Sequence, residues 1–196
     1  DDRLVFDKMD FEKGTILIDG KKHDLLDSDF PTVNPDDPYT LDETEQKVMD
    51  QLKSSFLNSQ RLQKHIDFLF TRGSMYLTYN SNLLYHGCIP MDKNGKFQKF
   101  DGSGELYSGK LLCDYFDRVA REAHFNRSLQ SKQNTVLDHM WYLWCGPMSP
   151  LFGKRKMATF ERYYLEDKET HKEDRNYYYT LAFKHEKYCD MILKEF

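Results

Sequence analysis

The chain has 196 residues, enough for one domain of ordinary size that buries a sizeable core. Its 28 basic and 32 acidic residues give a net charge of -4 and are mixed along the chain, which excludes a broad basic face for nucleic acid. Fourteen Phe, 13 Tyr and two Trp exclude a disordered or low-complexity chain. Apolar runs fall far short of the roughly 20 residues that cross a bilayer, and the charged start is not a signal peptide. We therefore expect a folded protein of the cytoplasm without a membrane segment.

The four cysteines lie far apart in the sequence and form no Cys-x-x-Cys pair. This spacing argues against a zinc knuckle or a redox motif, so we expect reduced thiols. They are Cys88, Cys113, Cys145 and Cys189.

The first forty residues are predicted to be an irregular connecting segment. Only residues 15–18 are β-prone, and prolines with acidic neighbours fill residues 29–38. Residues 41–196 are predicted to be the helical and hairpin part, so that residues 1–196 form a single region.

A long helix is predicted over residues 43–72. Thr40 with Glu43 three residues later matches a capping box, which marks a helix start. Apolar residues then recur at helical spacing as far as Gly73. The pattern fits one helix, or two helices joined near Asn58.

Two short β-prone runs follow, at residues 74–79 and 82–85, with Asn80 and Ser81 between them as a turn. The sequence therefore predicts a β-hairpin at about residues 74–90.

Apolar repeats three and four residues apart predict three further helices, near residues 110–124, 133–145 and 183–194. Before the first of them, Lys96–Phe100 is predicted to be one strand of a small hairpin. The second helix ends before Gly146 and Pro147, which break helices. Asp138 and Trp141 are expected to order that helix against the core. These elements predict an α/β fold that is rich in helix.

His86 follows the second strand of the predicted hairpin and precedes a glycine. A strand end is where α/β proteins tend to place a site, and Gly87 lets the backbone approach a metal or a phosphate closely. A catalytic metal needs three or more protein ligands, so one histidine cannot hold it alone. From the spacing alone, His86 is either a metal ligand or a hydrogen-bonded structural histidine.

Four cations lie on or after a loop that contains prolines. Arg binds phosphate oxygens bidentately and Lys binds them as a point charge, so such a loop suits phosphate binding. The alternative is a solvated basic turn. The cations are Lys154, Arg155, Lys156 and Arg162.

Several segments of the chain resemble a known enzyme family. They are Asn82-Leu-Leu-Tyr-His-Gly-Cys-Ile-Pro-Met91, Met140-Trp-Tyr-Leu-Trp-Cys-Gly-Pro-Met-Ser-Pro-Leu-Phe-Gly-Lys154, Met157-Ala-Thr-Phe-Glu-Arg-Tyr163 and Lys168-Glu-Thr-His171. They are similar to the central part of class III fructose-1,6-bisphosphatase, which is related to the calcineurin-like metallophosphoesterases. The resemblance spans nearly the whole chain.

The resemblance implies hydrolysis of fructose 1,6-bisphosphate to fructose 6-phosphate and phosphate in gluconeogenesis. It also implies a centre of two manganese ions, which activates a water molecule for attack on phosphorus. In that case His86 would supply one metal ligand, and the four cations would hold the phosphates of the sugar. The implied fold is a helix-rich fragment of a metallophosphoesterase α/β sandwich. The implied partner is a sugar phosphate, without nucleic acid or membrane, and the resemblance leaves a homo-oligomer open.

The chain also departs from the family pattern. The superfamily signatures Asp-x-His, Gly-Asp-x-x-Asp-Arg and Gly-Asn-His-Glu are absent from the sequence. We therefore expect a fragment of a longer enzyme, inactive when isolated. Two alternatives remain: a metallophosphatase that acts on another phosphate ester, and a non-catalytic cap or interaction module whose helices at 43–72 and 110–124 pack against a partner.

Overall fold

The computed structural model describes residues 4–126 and 134–196. Within these residues the chain forms seven α-helices and seven short β-strands, and the strands within each sheet pair antiparallel. The predicted α/β class is therefore confirmed, with sheets that are small. None of the described helices has both the length and the apolar character that a membrane span requires.

The strands are β1 Met9–Asp10, β2 Thr15–Ile18, β3 Lys21–Asp24, β4 Tyr76–Tyr79, β5 Asn82–Tyr85, β6 Phe100–Asp101 and β7 Leu106–Tyr107. The helices are α1 Glu43–Asn58, α2 Gln60–Arg72, α3 Gly109–Phe125, α4 Thr135–Cys145, α5 Thr159–Tyr164, α6 Tyr178–Leu181 and α7 Glu186–Glu195.

The chain divides into two compact units. The first unit contains Asp1–Gln63 and Ala158–Lys172, and the second contains Lys64–Met157 and Glu173–Phe196.

A three-stranded sheet, ordered β1-β2-β3, lies in the first unit. The prediction of an irregular start is therefore wrong for residues 9–24. Thr15 and Ile16 of β2 are buried, and the turn between β2 and β3 places Asp19 and Gly20 at φ 49° and 76°. An Asp-Gly pair with positive φ at both residues is a strong hairpin signal, and it was present in the sequence.

Helix α1 begins at Glu43, as predicted, but its N-cap lies two residues after the predicted cap. Asp42 is the N-cap: its carboxylate accepts hydrogen bonds from two backbone amides of the first turn at 2.7 Å, and Glu45 accepts one from the Asp42 amide at 2.9 Å. The predicted pair of Thr40 and Glu43 is wrong, because the Thr40 hydroxyl donates to Asp37 at 2.6 Å, before the helix. Asp is at least as favourable as Thr at an N-cap, where the side chain accepts hydrogen bonds from backbone amides. The pairs Thr40–Glu43 and Asp42–Glu45 have the same three-residue spacing, so the spacing does not distinguish them.

The predicted helix over 43–72 is two helices that meet at Ser59, as expected for a joint near Asn58. Neither helix contains a buried residue within the described part of the chain. The apolar stripe of α1, including Val48, Leu52 and Phe56, is at least half exposed. The helical spacing was correct, but residues 4–126 and 134–196 leave half or more of each of these side chains exposed.

The predicted hairpin of the second unit is confirmed as β4 and β5. Asn80 and Ser81 form its turn with φ of 49° and 60°, the left-handed region that Asn tolerates well. Leu83 and Tyr85 of β5 pack against a core formed with Cys88, Ile89 and other buried residues.

A second apolar core joins α3 to α4. Leu112, Phe116 and Val119 of α3 are buried there together with Leu143 of α4. Trp141 is 69% exposed, so the expectation that it orders α4 against the core is wrong. The core-facing side of α4 instead carries Val136, Met140 and Leu143. Leu137 and Trp144, which lie one turn from Trp141, are exposed as it is.

The small predicted hairpin exists, but its strand is misplaced. Phe100–Asp101 pairs with Leu106–Tyr107, so only the last residue of the predicted strand Lys96–Phe100 belongs to it. The predicted helix at 110–124 is confirmed as α3. The predicted start of α4 at Gln133 lies outside the described residues, and α4 ends at Cys145, before Gly146, as predicted.

The last predicted helix is α7, and it begins at Glu186 instead of residue 183. The short helices α5 and α6 were not predicted. They have six and four residues, which is too short for a clear apolar period.

One polar contact links α3 to α4 across their apolar core. The Tyr115 hydroxyl and the His139 Nδ1 form a short hydrogen bond, and the Phe100 ring packs edge-on against the imidazole with centroids 5.2 Å apart. Burial lowers the pKa of His139, against the opposing charges of Asp138 and Asp101. The folded protein therefore favours the neutral imidazole.

We predict that His139 makes the stability of the protein sensitive to acid. Because burial makes its pKa lower in the folded than in the unfolded chain, its contribution is fully present above the unfolded pKa of about 6.5 and is lost as the pH falls from there through the lower folded pKa. Urea unfolding at pH 7.5 and 5.5 should show a larger loss of stability for the wild type than for His139→Gln. An equal loss in both proteins would contradict the prediction, and the exposed His65→Gln variant serves as the control.

Candidate functional site

His86 lies at the exit of β5, as predicted, and its side chain is exposed. It has no hydrogen bond or ion pair to any described residue. The structure therefore does not support the reading of His86 as a hydrogen-bonded structural histidine. Its imidazole nitrogens remain available for a ligand.

Gly87 allows the backbone after β5 to pack directly against a second segment. The Cys88 amide donates to the Pro150 carbonyl oxygen at 2.9 Å. A Cβ at Gly87 would overlap that same oxygen and would lie 2.8 Å from the Leu151 oxygen. Because the atoms in the way are backbone, they cannot move aside cheaply. The glycine of the His-Gly pair therefore has a packing role in this structure.

Asn176 connects the segment after β5 to the loop at Gly153. Its side-chain oxygen accepts from the Met91 amide at 2.9 Å and from the Tyr178 amide at 3.0 Å. Its side-chain nitrogen donates to Gln98 at 2.7 Å, and its own amide donates to the Gly153 carbonyl at 2.8 Å. Asn176 is only 8% exposed, so these bonds satisfy a polar side chain that would otherwise be costly to bury.

The loop at Gly153 is in close contact with the segment after β5. Gly153 has φ 57°, and a Cβ there would lie 2.8 Å from the Cys88 sulfur and 3.2 Å from the Tyr179 ring. Burial raises the pKa of the Cys88 thiol to about 12, so this cysteine is a protonated packing residue. The structure thus brings together three segments that are far apart in sequence: residues 86–91, 149–154 and 173–179.

Two of the predicted phosphate-binding cations already pair with carboxylates. Lys154 Nζ lies 2.6 Å from Glu173 Oε2 and 5.3 Å from the centre of the Phe152 ring. The side chains of Lys154 and Glu173 are only 25% and 17% exposed. Arg155 Nε lies 3.1 Å from Asp174 Oδ2, in a more exposed position. A phosphate at this loop would therefore meet cations whose charge is partly neutralised.

The other two predicted cations are not in the same compact unit. Lys156 follows Arg155 in the second unit, whereas Arg162 lies on α5 in the first unit and is exposed. The structure groups Lys154, Arg155 and Lys156 on one loop and gives no support for adding Arg162 to it.

The described residues do not fit a complete metal centre. Within residues 4–126 and 134–196, no three or more His, Cys, Asp or Glu side chains come together in a way that could hold a metal ion. Among these residues, His86 is therefore a single predicted ligand without a set of partners.

Sequence reasoning missed the residues that assemble this region. Asn176, Glu173 and Asp174 lie in a polar stretch without periodicity, and their partners are 19 to 85 residues away. The adjacent carboxylates Glu173 and Asp174, in a chain that also carries the basic loop 154–156, are the sequence signal that could have indicated this pairing.

A family model and several curated relatives each match the whole chain. The family model for Firmicute fructose-1,6-bisphosphatase matches residues 1–196. The class 3 fructose-1,6-bisphosphatase of Clostridium novyi (strain NT) is 53% identical to this chain over 196 residues. That of Alkaliphilus metalliredigens (strain QYMF) is 52% identical to this chain over 198 residues. That of Clostridium botulinum (strain Alaska E43 / Type E3) is 50% identical over 196 residues.

Each of these alignments covers 100% of this chain but only 29% or 30% of the relative. The chain therefore spans about 30% of the length of the curated relatives that it matches. No solved structure matches the chain.

Proposed function

The chain belongs to the Firmicute fructose-1,6-bisphosphatase family, and from this membership we propose that the protein hydrolyses fructose 1,6-bisphosphate to fructose 6-phosphate and phosphate in gluconeogenesis. The observation that carries the proposal is the match of the family model to every residue of the chain, with relatives about 50% identical. Because the chain spans about 30% of those relatives, the activity is proposed for the full-length protein. The cytoplasm is the proposed location, and the four free cysteines support it.

The proposal includes a divalent metal, manganese, held in part by His86. Its support is the position of an exposed imidazole at a strand exit, with its nitrogens available. The described residues supply no further ligand set, so the other ligands are proposed to lie in other parts of the full-length protein. When bound, such a metal would supply activation of water for attack on phosphorus.

The loop cations Lys154, Arg155 and Lys156 are proposed to bind a phosphate group of the sugar. Their support is their grouping on one loop that packs against the segment after His86. Arg162 is included in the proposal only because it lies in the segment 157–163, which resembles the family.

The finer fold proposal is that the β4–β5 hairpin belongs to a metallophosphoesterase α/β sandwich in the full-length protein. Both faces of the hairpin are apolar: Leu83 and Tyr85 face the core, whereas Leu77 and Leu84 on the other face are more than half exposed. A hairpin with two apolar faces is typical of a sheet that is covered on both sides.

One structural observation favours a second candidate function, an interaction module. The apolar stripe of α1 is exposed, and no residue of α1 is buried within the described part of the chain. The predicted partner face at 110–124 does not share this property, because α3 buries Leu112, Phe116 and Val119 in its own core.

The full-length protein should release phosphate from fructose 1,6-bisphosphate and much less from a phosphopeptide of the same concentration. Phosphate release measured with manganese present tests this directly. Equal release from both substrates would favour a metallophosphatase of another specificity. No release from either substrate would favour the non-catalytic module.

Replacing His86 should lower metal binding. In the full-length protein, His86→Ala removes one proposed ligand, and loss of a ligand should cost at least about tenfold in metal affinity. Manganese content after dialysis measures this independently of turnover. The control is His65→Ala, which removes another exposed histidine. Manganese content equal to that of the wild type would contradict the ligand assignment.

A further inference from the structure

We propose that Arg175 is a further phosphate-binding residue of the loop that carries Lys154. This inference rests on the proposed function, because it names an additional group that holds a phosphate of the same substrate. The observations that carry it are the pairing of the backbone at Lys154 and Arg175, the cation–π contact of the guanidinium with Tyr179, and the distribution of carboxylates around the loop.

The backbone holds Arg175 beside Lys154. The two residues form an isolated antiparallel β-bridge, and the Arg155 amide donates to the carbonyl oxygens of Glu173 and Asp174 at 3.1 and 3.0 Å. The residue that follows Arg175 is Asn176, whose backbone and side chain are hydrogen-bonded to several segments. The Cα of Arg175 is therefore held in place relative to the basic loop.

An aromatic ring supports the side chain of Arg175. Its guanidinium carbon lies 5.5 Å from the centre of the Tyr179 ring, while the arginine as a whole is exposed. Tyr179 itself is half-buried and packs against the Gly153 backbone. This cation–π contact places the guanidinium beside the ring but uses none of its five N–H donors. The donors stay available for two parallel hydrogen bonds to phosphate oxygens.

The carboxylates of this region pair with the other cations. Glu173 is within ion-pair distance of Lys154, and Asp174 is within ion-pair distance of Arg155. Within the described residues, Arg175 has no carboxylate at such a distance. A phosphate at the loop would have to compete with Glu173 for Lys154, whereas Arg175 offers its charge without that competition. Arg175 therefore supplies the unneutralised positive charge that a phosphate dianion needs.

Two measurements on the full-length protein test this role. The first is the dissociation constant for inorganic phosphate, by calorimetric titration, which needs no turnover. The second is the KM for fructose 1,6-bisphosphate. Arg175→Gln should weaken phosphate binding and raise KM about tenfold or more, since bonds to a charged group are lost. Arg175→Lys keeps the charge but loses the bidentate geometry, so it should recover only part of the affinity.

The chain offers a closely matched control in Arg118. It is an exposed arginine whose guanidinium carbon lies 5.3 Å from the centre of the Tyr115 ring, but it is on α3 and away from the basic loop in sequence. Arg118→Gln should leave phosphate binding and KM at wild-type values.

The outcomes separate the two proposals. Wild-type phosphate binding and KM in Arg175→Gln would overturn the role of Arg175 and leave the proposed function intact. An equal loss in Arg118→Gln would also overturn it, because the effect would then be one of general charge. A protein that does not hydrolyse fructose 1,6-bisphosphate, but loses phosphate binding specifically in Arg175→Gln, would overturn the proposed function and support Arg175 as a phosphate ligand.

Discussion

The arrangement of the candidate site depends on the buried carboxamide of Asn176. The carboxamide accepts from the Met91 amide, in the segment after β5, and from the Tyr178 amide, and it donates to the side chain of Gln98. A fourth hydrogen bond, from the backbone amide of the same residue, holds the loop at Gly153. A buried amide gains its net stability only when its donors and acceptors are all used, and removing one partner costs about 1–3 kcal/mol. The network therefore favours one arrangement of the segments over looser ones. These hydrogen bonds of Asn176 therefore help to position both the strand exit at His86 and the basic loop.

The chemistry of this region is incomplete but consistent with part of a phosphate-releasing enzyme. An exposed imidazole and a loop of cations occur in the same compact unit, and the cations are partly neutralised by Glu173 and Asp174. Such pairing keeps long side chains ordered, and a phosphate bound at this loop would have to compete with the two carboxylates. Neither Gly87 nor Gly153 has room for a side chain: at Gly87 the backbone of residues 150–151 lies too close, and at Gly153 the side chains of Cys88 and Tyr179 do.

Local elements were predictable from the sequence, whereas long-range contacts were not. The hairpin turn at Asn80 and the periodicity of α3 are set by neighbouring residues, so their patterns were sufficient. The cap at Asp42 was missed because a competing pair with the same spacing lies two residues earlier. Asn176 could not be found, because its partner Met91 is 85 residues away and no periodicity marks it. The family resemblance added the motif around His86, which spacing alone left undecided.

Asn176 holds the segment after β5 in place, and hydrogen exchange of backbone amides tests this role most directly. In Asn176→Ala the amides of Met91 and Tyr178 lose their acceptor, so both should exchange about tenfold faster or more, whereas the amide of Phe116 in the α3 core should be unaffected. Unchanged protection of Met91 in the variant would contradict the account, because the segment would then be held by other contacts.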